Sequence, residues 1–195
     1  DELNKIVQES GIVGLGGAAF PTHVKLSVKD KKIDTVILNG AECEPYLTAD
    51  HSLMAKEYEK IIKGLKLIMK IVGASKGIIG VEDNKSDVIQ TMADRAKVIQ
   101  GDISVVSLKT LYPQGAEKML IYSLLGRKVP PRGLPLDVNV VVNNVGTAKA
   151  VYDAVYEGKP LIERVVTVTG VVREPKNLLV KIGTLFDDVI KECGG

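Results

Sequence analysis

Apolar residues along this chain follow two patterns, one typical of buried strands and one typical of amphipathic helices. A continuous apolar run at residues 36–38, inside a segment spanning 33–38, predicts a buried strand. The segment 51–72 instead has apolar residues at steps of three and four, which place them on one face of a long helix. Those apolar positions are Met54, Tyr58, Ile61, Ile62, Leu65, Ile68, Met69 and Val72. Gly73 follows them as a predicted C-cap.

The two patterns alternate over the first four-fifths of the chain. Strands are predicted at 33–38, 77–82, 103–108 and 138–142, and helices at 3–10, 51–72, 86–99, 114–125 and 147–156. Such alternation predicts an α/β fold with a mostly parallel sheet and helices on both faces. The proline-rich stretch 129–135 is predicted to be irregular, because proline lacks a backbone N–H.

A second, small domain is predicted after Pro160, where the alternation stops. Segments 165–172 and 178–182 have the pattern of a strand pair, and a short helix follows with Thr184 as its N-cap. We therefore place one α/β domain at residues 1–160 and the beginning of a second domain at residues 161–195.

The composition is ordinary for a soluble globular protein and excludes several functions. The chain has 195 residues, 45% of them hydrophobic and 26% charged, with a net charge of +2. No basic block favours nucleic acid, and no segment is apolar for long enough to span a bilayer. Cys43 and Cys193 are the only cysteines, so neither a zinc site nor an iron–sulfur cluster is expected within the chain. Because the chain begins with Asp1 and ends abruptly, we expect it to be a piece of a longer protein.

A glycine-rich run near the start of the chain is a candidate phosphate site. Its glycines, within residues 14–17, let the backbone turn tightly and approach a ligand closely. A helix predicted to start at Pro21 and Thr22 offers free N–H groups to an anion, and Lys25 adds a positive charge. An ordinary Rossmann fingerprint is not expected, because a helix rather than a strand precedes the run. The alternatives are a purely structural glycine turn and a solvated surface lysine.

Polar side chains follow two of the predicted strands. Asn39, Glu42 and Glu44 come after the first strand, and Asn143 and Asn144 come after the fourth. Open α/β sheets bind ligands at the carboxyl ends of their strands. The alternatives are that the two glutamates cap the following helix and that the asparagine pair forms a turn. Combined with the glycine run, these residues predict a nucleotide-type cofactor held by its phosphate.

Taken together, these motifs resemble the flavin–NADH subunit family of respiratory complex I, and more closely the RnfC subunits of Rnf complexes. Rnf complexes are membrane-bound ferredoxin:NAD oxidoreductases. The matching stretches are residues 14–26, 36–53, 112–126 and 141–147. Residues 166–184 resemble the opening of the β-grasp-like SLBB domain that follows in that family. The resemblance thus covers nearly the whole chain.

This resemblance implies FMN as a cofactor and NAD(H) as a substrate. The residues it implies for FMN are Gly14, Gly16, Gly17, Lys25, Asn39, Glu42, Cys43, Asn143, Asn144 and Thr147. The residues it implies for NADH are Ala18, Phe20, Glu44 and Glu117. Phe20 and Glu117 also have plainer interpretations, as a core residue and as an acid favoured at a helix start. No side chain is implied as a general acid, a general base or a metal ligand, and 4Fe–4S clusters are expected only in a C-terminal part beyond this chain.

Three positions depart from the complex I pattern. Ala41 stands where that family has an aspartate, Ala116 stands where it has the first of two glutamates, and Val28 stands where it has a second stacking aromatic residue. FMN binding is therefore better supported by the sequence than NADH binding.

The function implied by the resemblance is electron transfer through FMN-dependent oxidation of NADH, or the reverse reaction. The expected partners are NADH, other subunits of a membrane electron transport complex and, indirectly, ferredoxin. We expect the protein on the cytoplasmic side of a bacterial membrane, peripherally bound, with this chain itself soluble. Two other functions stay open: an RnfC-like cobalamin or corrinoid reductase, and a non-catalytic docking module that contacts another protein through its SLBB part.

Overall fold

A computed structural model describes residues 2–28, 31–99 and 101–195. Its helices are α1 (Glu2–Glu9), α2 (Thr22–Leu26), α3 (Ala49–Val72), α4 (Ser86–Val98), α5 (Glu117–Leu125), α6 (Val145–Glu157) and α7 (Phe186–Glu192). Its strands are β1 (Thr35–Gly40), β2 (Lys76–Glu82), β3 (Asp102–Leu108), β4 (Val140–Asn144), β5 (Glu163–Val168) and β6 (Lys176–Lys181). Short 3₁₀ helices occupy Asp83–Lys85 and Pro135–Val138.

The first four strands form one parallel sheet in the order β3-β2-β1-β4. Parallel neighbours need a crossover connection, and here α3, α4 and α6 supply most of the covering layer. The mostly parallel α/β fold predicted from the sequence is confirmed. The central position of β1 brings the segment after it next to the segments after β2 and β4.

The sheet is buried on both faces, which explains the continuous apolar runs of its strands. Val36 and Leu38 of β1 point to the face covered by α3, α4 and α6, whereas Ile37 points to the opposite face. That second face is covered by α5, through Leu120 and Ile121. The helices therefore lie on both sides of the sheet, with the larger hydrophobic core under α3 and α6.

Of two local predictions in loop regions, one is confirmed and the other is wrong. The proline-rich crossing is irregular through residue 134, as predicted, and a 3₁₀ helix begins at Pro135, because proline is compatible with the first position of a helix, where no N–H is needed. Thr184 is not the N-cap of α7, whose N-cap is Leu185. The Thr184 hydroxyl instead donates to the Lys181 carbonyl at 2.8 Å, within the turn that follows β6.

The C-terminal part consists of the antiparallel pair β5–β6 followed by α7. Neither strand of this hairpin contains a fully buried residue. Across residues 2–28, 31–99 and 101–195, no helix is both long and apolar enough to cross a membrane.

Candidate functional site

The glycine run forms a closed loop between α1 and α2. Val13 and Pro21 form an antiparallel bridge, and the Gly14 N–H donates to the Phe20 carbonyl at 2.9 Å. Gly17 has a φ of +115°, which residues with a side chain rarely adopt. These two backbone contacts close the loop at its base, and the five-residue helix α2 begins directly after it at Thr22.

This loop is anchored to the N-terminus of α6. The Leu15 N–H donates to the Thr147 hydroxyl at 2.9 Å. Thr147 is fully buried, and the bond itself is partly buried. The anchor places the glycine loop at the end of β4, directly after which α6 begins.

The asparagines predicted from the sequence meet at the carboxyl ends of β1 and β4. Asn39 and Asn144 are partners in the parallel register of these strands. The Asn39 amide donates to the Gly115 carbonyl at 2.8 Å, and its oxygen accepts from the Ala41 N–H at 3.1 Å. The Asn144 oxygen accepts from the Gly146 N–H at 2.8 Å and caps α6. These two side chains therefore brace the surrounding backbone.

A cavity of about 660 Å³ opens between the glycine loop, the strand ends and the 3₁₀ helix at Pro135. This volume is within the roughly 300–1,000 Å³ range of small-molecule sites. One wall is apolar and includes Val140, Val141 and Val142 of the outer strand β4. Of the residues predicted to bind FMN or NADH, the lining includes Gly14, Gly16, Ala18, Phe20, Lys25, Asn39, Glu117, Asn143, Asn144 and Thr147.

Two buried polar atoms in this lining have no partner among the residues that the structure describes. The Asn143 Nδ2 and the Thr22 Oγ1 make no hydrogen bond there, although the two residues are only 5% and 1% exposed. A buried polar group without a partner is costly, on the order of 1–3 kcal/mol. Thr22 and Asn143 both line the cavity, so a ligand with polar groups would supply the partners that these two atoms lack once a small side-chain adjustment exposes them.

An ion pair between Lys25 and Glu117 supplies the charge of the cavity lining. Lys25 Nζ lies 2.9 Å from Glu117 Oε1, which joins α2 to the start of α5. Both side chains are about one-third exposed, with values of 32% and 40%. Lys25 thus points toward the cavity already paired with an acid, and an incoming phosphate would compete with Glu117 for it.

Four predicted residues lie outside the lining. Gly17 turns the glycine loop, and Glu44 accepts a hydrogen bond from the Tyr112 hydroxyl at 3.3 Å. The Glu42 carboxylate accepts from the N–H groups of Asp50 and His51 at the start of α3, at 2.9 and 3.2 Å. Glu42 therefore has the helix-capping role that the sequence left open as its alternative.

Cys43 is the fourth of these residues, and it belongs to a contact that the sequence did not suggest. Its Sγ accepts from the Gly115 N–H at 3.3 Å. A Cβ on residue 115 would run into the Ala41 carbonyl oxygen, so glycine is required there. Gly115 thus locks the loop before α5 against the loop after β1. Its position in a run without other glycines gave no sequence signal.

Asp50 is a second residue that sequence reasoning missed. The Asn144 Nδ2 donates to Asp50 Oδ2 at 2.7 Å, between α3 and the end of β4. Burial raises the pKa of Asp50 from its ordinary 3.8 to about 6, with the Glu42 carboxylate adding to the rise and the Asn144 hydrogen bond opposing it. The signal available in the sequence was an acid in the first turn of a long helix, which many surface helices share.

Metal chemistry finds no support in the part of the chain that the structure describes. No group of three or more His, Cys, Asp or Glu side chains there is arranged to hold a metal ion. The polar donors and the apolar wall of the cavity suit an organic ligand with an anionic end.

The fold and this cavity define an α/β protein with a small-molecule site at the carboxyl edge of its sheet, and comparison with known families gives the class. Residues 7–153 match the Nuo51 FMN-binding domain, and residues 165–195 match the SLBB domain. The chain belongs to the Nuo51 FMN-binding domain family.

Curated relatives extend this likeness over the whole chain. It is 55% identical to the C subunit of the proton-translocating ferredoxin:NAD(+) oxidoreductase complex of Clostridium ljungdahlii, covering 100% of this chain and 42% of the relative. It is 54% identical to the Na(+)-translocating counterpart of Acetobacterium woodii, covering 100% of this chain and 44% of that protein. The predicted resemblance to RnfC proteins is confirmed. The chain spans less than half the length of these relatives.

Solved structures support the fold. An NAD+-reducing NiFe-hydrogenase in the air-oxidized state superposes with a TM-score of 0.85 at 24% identity, covering 98% of this chain and 38% of the hydrogenase chain. The same class of enzyme in the H2-reduced state gives a TM-score of 0.84 at 23% identity, covering 100% of this chain and 39% of that chain.

Proposed function

We propose that this chain binds FMN in the cavity at the ends of β1 and β4 and exchanges electrons between FMN and NAD(H). The observation that carries the proposal is the pair of unpartnered buried atoms, Asn143 Nδ2 and Thr22 Oγ1, in a cavity lined by the glycine loop. The FMN-binding family to which the chain belongs supports the choice of ligand.

Lys25 and the glycine loop would hold the phosphate. Lys25 is the cation in the cavity lining, and Gly14 and Gly16 bring backbone close to the same space. Asn143 would donate to the flavin or its ribityl chain. Asn39, Asn144 and Thr147 would act indirectly, since their hydrogen bonds to backbone groups fix the segments that form the cavity. Glu42 and Cys43 contribute in the same way, through α3 and Gly115.

NADH would approach from the exposed side of the cavity, where Phe20 is 51% exposed. Ala18 and Glu117 line the same cavity, while Glu44 lies outside the lining, paired with Tyr112. A half-exposed aromatic ring beside a cavity can stack on a planar ligand. Glu117 would accept hydrogen bonds from NADH once an FMN phosphate has taken over Lys25.

When bound, FMN supplies the redox chemistry, because it takes up a hydride and releases electrons one at a time. The residues of this chain bind and orient; no side chain is required as an acid or a base. The apolar wall of β4 excludes water from one side of the cavity. Within a larger protein, 4Fe–4S clusters would then carry the electrons onward.

By analogy with the relatives, the chain would belong to a multi-subunit ferredoxin:NAD(+) oxidoreductase. It would then bind peripherally at the cytoplasmic side of the membrane, with other subunits as direct partners and ferredoxin as an indirect one. The high identity to proteins of two ion-translocating complexes favours this assignment over a corrinoid reductase.

The substitution Lys25→Ala tests the phosphate site. A charged hydrogen bond is worth roughly 1.5–3 kcal/mol, so FMN affinity should fall about ten- to hundredfold. Riboflavin lacks the phosphate and should bind wild type and variant alike. Titrations followed by flavin fluorescence measure both affinities. Equal losses for the two ligands would mean that Lys25 acts on the ring or on folding, and no binding by wild type would refute the FMN site.

The NADH half of the proposal has its own test. NADH added anaerobically to the FMN-loaded chain should bleach the flavin absorbance, as followed by stopped flow. If the flavin stays oxidised under these conditions, the FMN site still stands, but NADH is not its reductant.

A further inference from the structure

The β5–β6 hairpin touches the glycine loop, which lines the cavity, and the 41–48 loop, which leads into α3. Arg164 of β5 donates from Nη2 to the Leu15 carbonyl at 3.3 Å. Both backbone groups of Leu15 are thus held. Its N–H donates to Thr147 of α6, and its carbonyl oxygen accepts from Arg164. Leu15 lies between the two glycines of the cavity lining, so the hairpin restrains the glycine loop at its centre.

The other contact is a polar cluster around Thr48, the last residue of the loop that follows β1. The Thr48 N–H donates to the Thr167 hydroxyl at 3.1 Å. Asn177 donates from Nδ2 to the Thr48 carbonyl at 3.0 Å. Thr167 and Asn177 are cross-strand partners, and the Thr167 hydroxyl donates to Asn177 Oδ1 at 2.8 Å. One cross-strand pair therefore holds both backbone groups of Thr48.

Thr48 is connected to the cavity through α3. It is the N-cap residue of this helix, and the next residues place Asp50 against Asn144 at the cavity. Arg164 also lies close enough to Asp50 to act on its charge, lowering the pKa that burial raises. Both sets of hairpin contacts thus reach groups that shape the cavity. Arg164 reaches the glycine loop, and the pair Thr167 and Asn177 reaches Thr48 at the start of α3.

Deep apolar burial does not account for these contacts, because every residue of β5 and β6 is at least partly exposed. The side chains that reach the loops are instead hydrogen-bonding groups aimed at backbone atoms. Such bonds fix loop geometry at little cost in surface, and loops carrying few buried apolar contacts depend on them for local order.

We infer that Arg164 and Asn177 are positioning residues, through which the β5–β6 hairpin fixes the glycine loop of the cavity and, through the 41–48 loop, the start of α3 that holds Asn144. The inference rests on the proposed function for its consequence in FMN binding, but its structural part concerns the ligand-free chain. The position of the C-terminal hairpin would then set the affinity of a site to which it contributes no predicted ligand contact.

Hydrogen exchange of the ligand-free 195-residue chain tests the structural part. Arg164→Ala should speed amide exchange in residues 13–20 by about 2- to 10-fold and leave residues 44–50 unchanged, because one hydrogen bond is lost at one loop. Asn177→Ala should speed amide exchange in residues 44–50 by a similar factor and leave residues 13–20 unchanged. Lys181→Ala is the matched control, since it removes an exposed cation from the same hairpin and should change neither segment.

The inference is supported if exchange becomes faster only in residues 13–20 for Arg164→Ala and only in residues 44–50 for Asn177→Ala. Unchanged exchange in both loops overturns it. Faster exchange spread over β1 and β2 as well would indicate general destabilisation and also overturn it. If Asn177→Ala does not fold, Asn177→Asp serves instead, because it removes the donor to Thr48 and keeps the acceptor for Thr167.

Flavin binding separates this inference from the proposed function. Each hairpin variant should weaken FMN and riboflavin equally, by about 2- to 10-fold, since loop shape rather than phosphate charge is altered. A loss for FMN alone would show that Arg164 acts by its charge and would overturn the positioning role. If wild type binds no flavin, the proposed function fails, whereas the exchange pattern still decides whether the hairpin orders the loops.

Discussion

The side chain of Asp50 lies where the loops after β1 and β4 meet. It accepts a hydrogen bond from Asn144 and sits near the Glu42 carboxylate. Because burial holds its pKa at about 6, the folded chain keeps a proton that the unfolded chain loses near pH 3.8. Its contribution to stability is therefore largest below pH 4, and it declines as the pH rises to about 6.

Asp50→Asn should consequently stabilise the chain more at pH 7.5 than at pH 4.5. Asparagine keeps an oxygen that can accept from Asn144 and carries no charge to bury. The pKa rise corresponds to at most about 3 kcal/mol at neutral pH. Thermal unfolding of wild type and variant at the two pH values measures the difference, in which the titration of all other carboxylates cancels. A difference independent of pH would contradict the prediction.

Lys25 and Glu117 form an ion pair that the sequence did not predict. Lys25 was predicted to contact a phosphate from its place beside the glycine run, and Glu117 to contact NADH from the family resemblance, yet the structure pairs them at 2.9 Å across 92 residues of sequence. The ion pair holds α2 and α5 on two sides of the cavity and keeps the lysine in place before any anion arrives.

At the scale of elements, the contact between α3 and α6 determines where the cavity lies. Gly64 lies in α3 so close to α6 that a Cβ there would run into the Ala148 carbonyl oxygen. This close approach places the N-terminus of α6, with Thr147, beside the glycine loop. A glycine in a helix interior, normally a weak point, is here a packing requirement.

Gly64→Ala should therefore destabilise the chain by about 1–3 kcal/mol, since the added methyl group forces the helices apart. Helix propensity alone predicts the opposite, a gain of about 1 kcal/mol. Ala55→Gly, at an exposed position of the same helix, is the control and should cost about 1 kcal/mol. Chemical denaturation gives all three stabilities. A Gly64→Ala variant more stable than wild type would show that α3 and α6 do not touch at this point.

At the scale of the whole molecule, the chain has a cavity large enough for a small molecule but too few cysteines for an iron–sulfur cluster. Its two cysteines are separate, Cys43 beside Gly115 and Cys193 buried at the end of α7. If the proposed function holds, electrons that reach FMN have no onward relay within these 195 residues.

The FMN-loaded chain should then reduce ferricyanide with NADH but reduce ferredoxin poorly. Ferricyanide is small enough to reach the flavin edge, whereas ferredoxin is kept at a distance by the surrounding protein. The measurement compares NADH-dependent ferredoxin reduction by this chain with that by a longer version carrying an iron–sulfur domain. Equal rates would mean that the flavin faces ferredoxin directly and that no relay is needed.

Much of the fold could be predicted from the sequence, because it depends on local patterns. The apolar run at residues 36–38 and the helical periodicity of 51–72 lie within segments whose structure is that of β1 and α3. Burial of a strand or a helix face requires apolar residues at a fixed period, so the pattern itself carries the information. The ends of elements were less accurate, since the strand predicted at 138–142 is β4 at Val140–Asn144 and the N-cap of α7 is Leu185 rather than Thr184.

The sequence by itself determined the elements, their parallel α/β arrangement, the glycine loop and most residues that line the cavity. Only the tertiary structure decided what each polar side chain does there. It assigns Glu42 to the amides of α3, Asn144 to Asp50 and to the α6 N-cap, and Arg164 to the glycine loop. The physical reason is that a hydrogen bond is directional and short, and two of these pairs, Asn144 with Asp50 and Arg164 with Leu15, join segments far apart in the chain. Periodicity tells which face of an element is buried, but it cannot tell which distant backbone group will lie within about 3 Å of a given side chain.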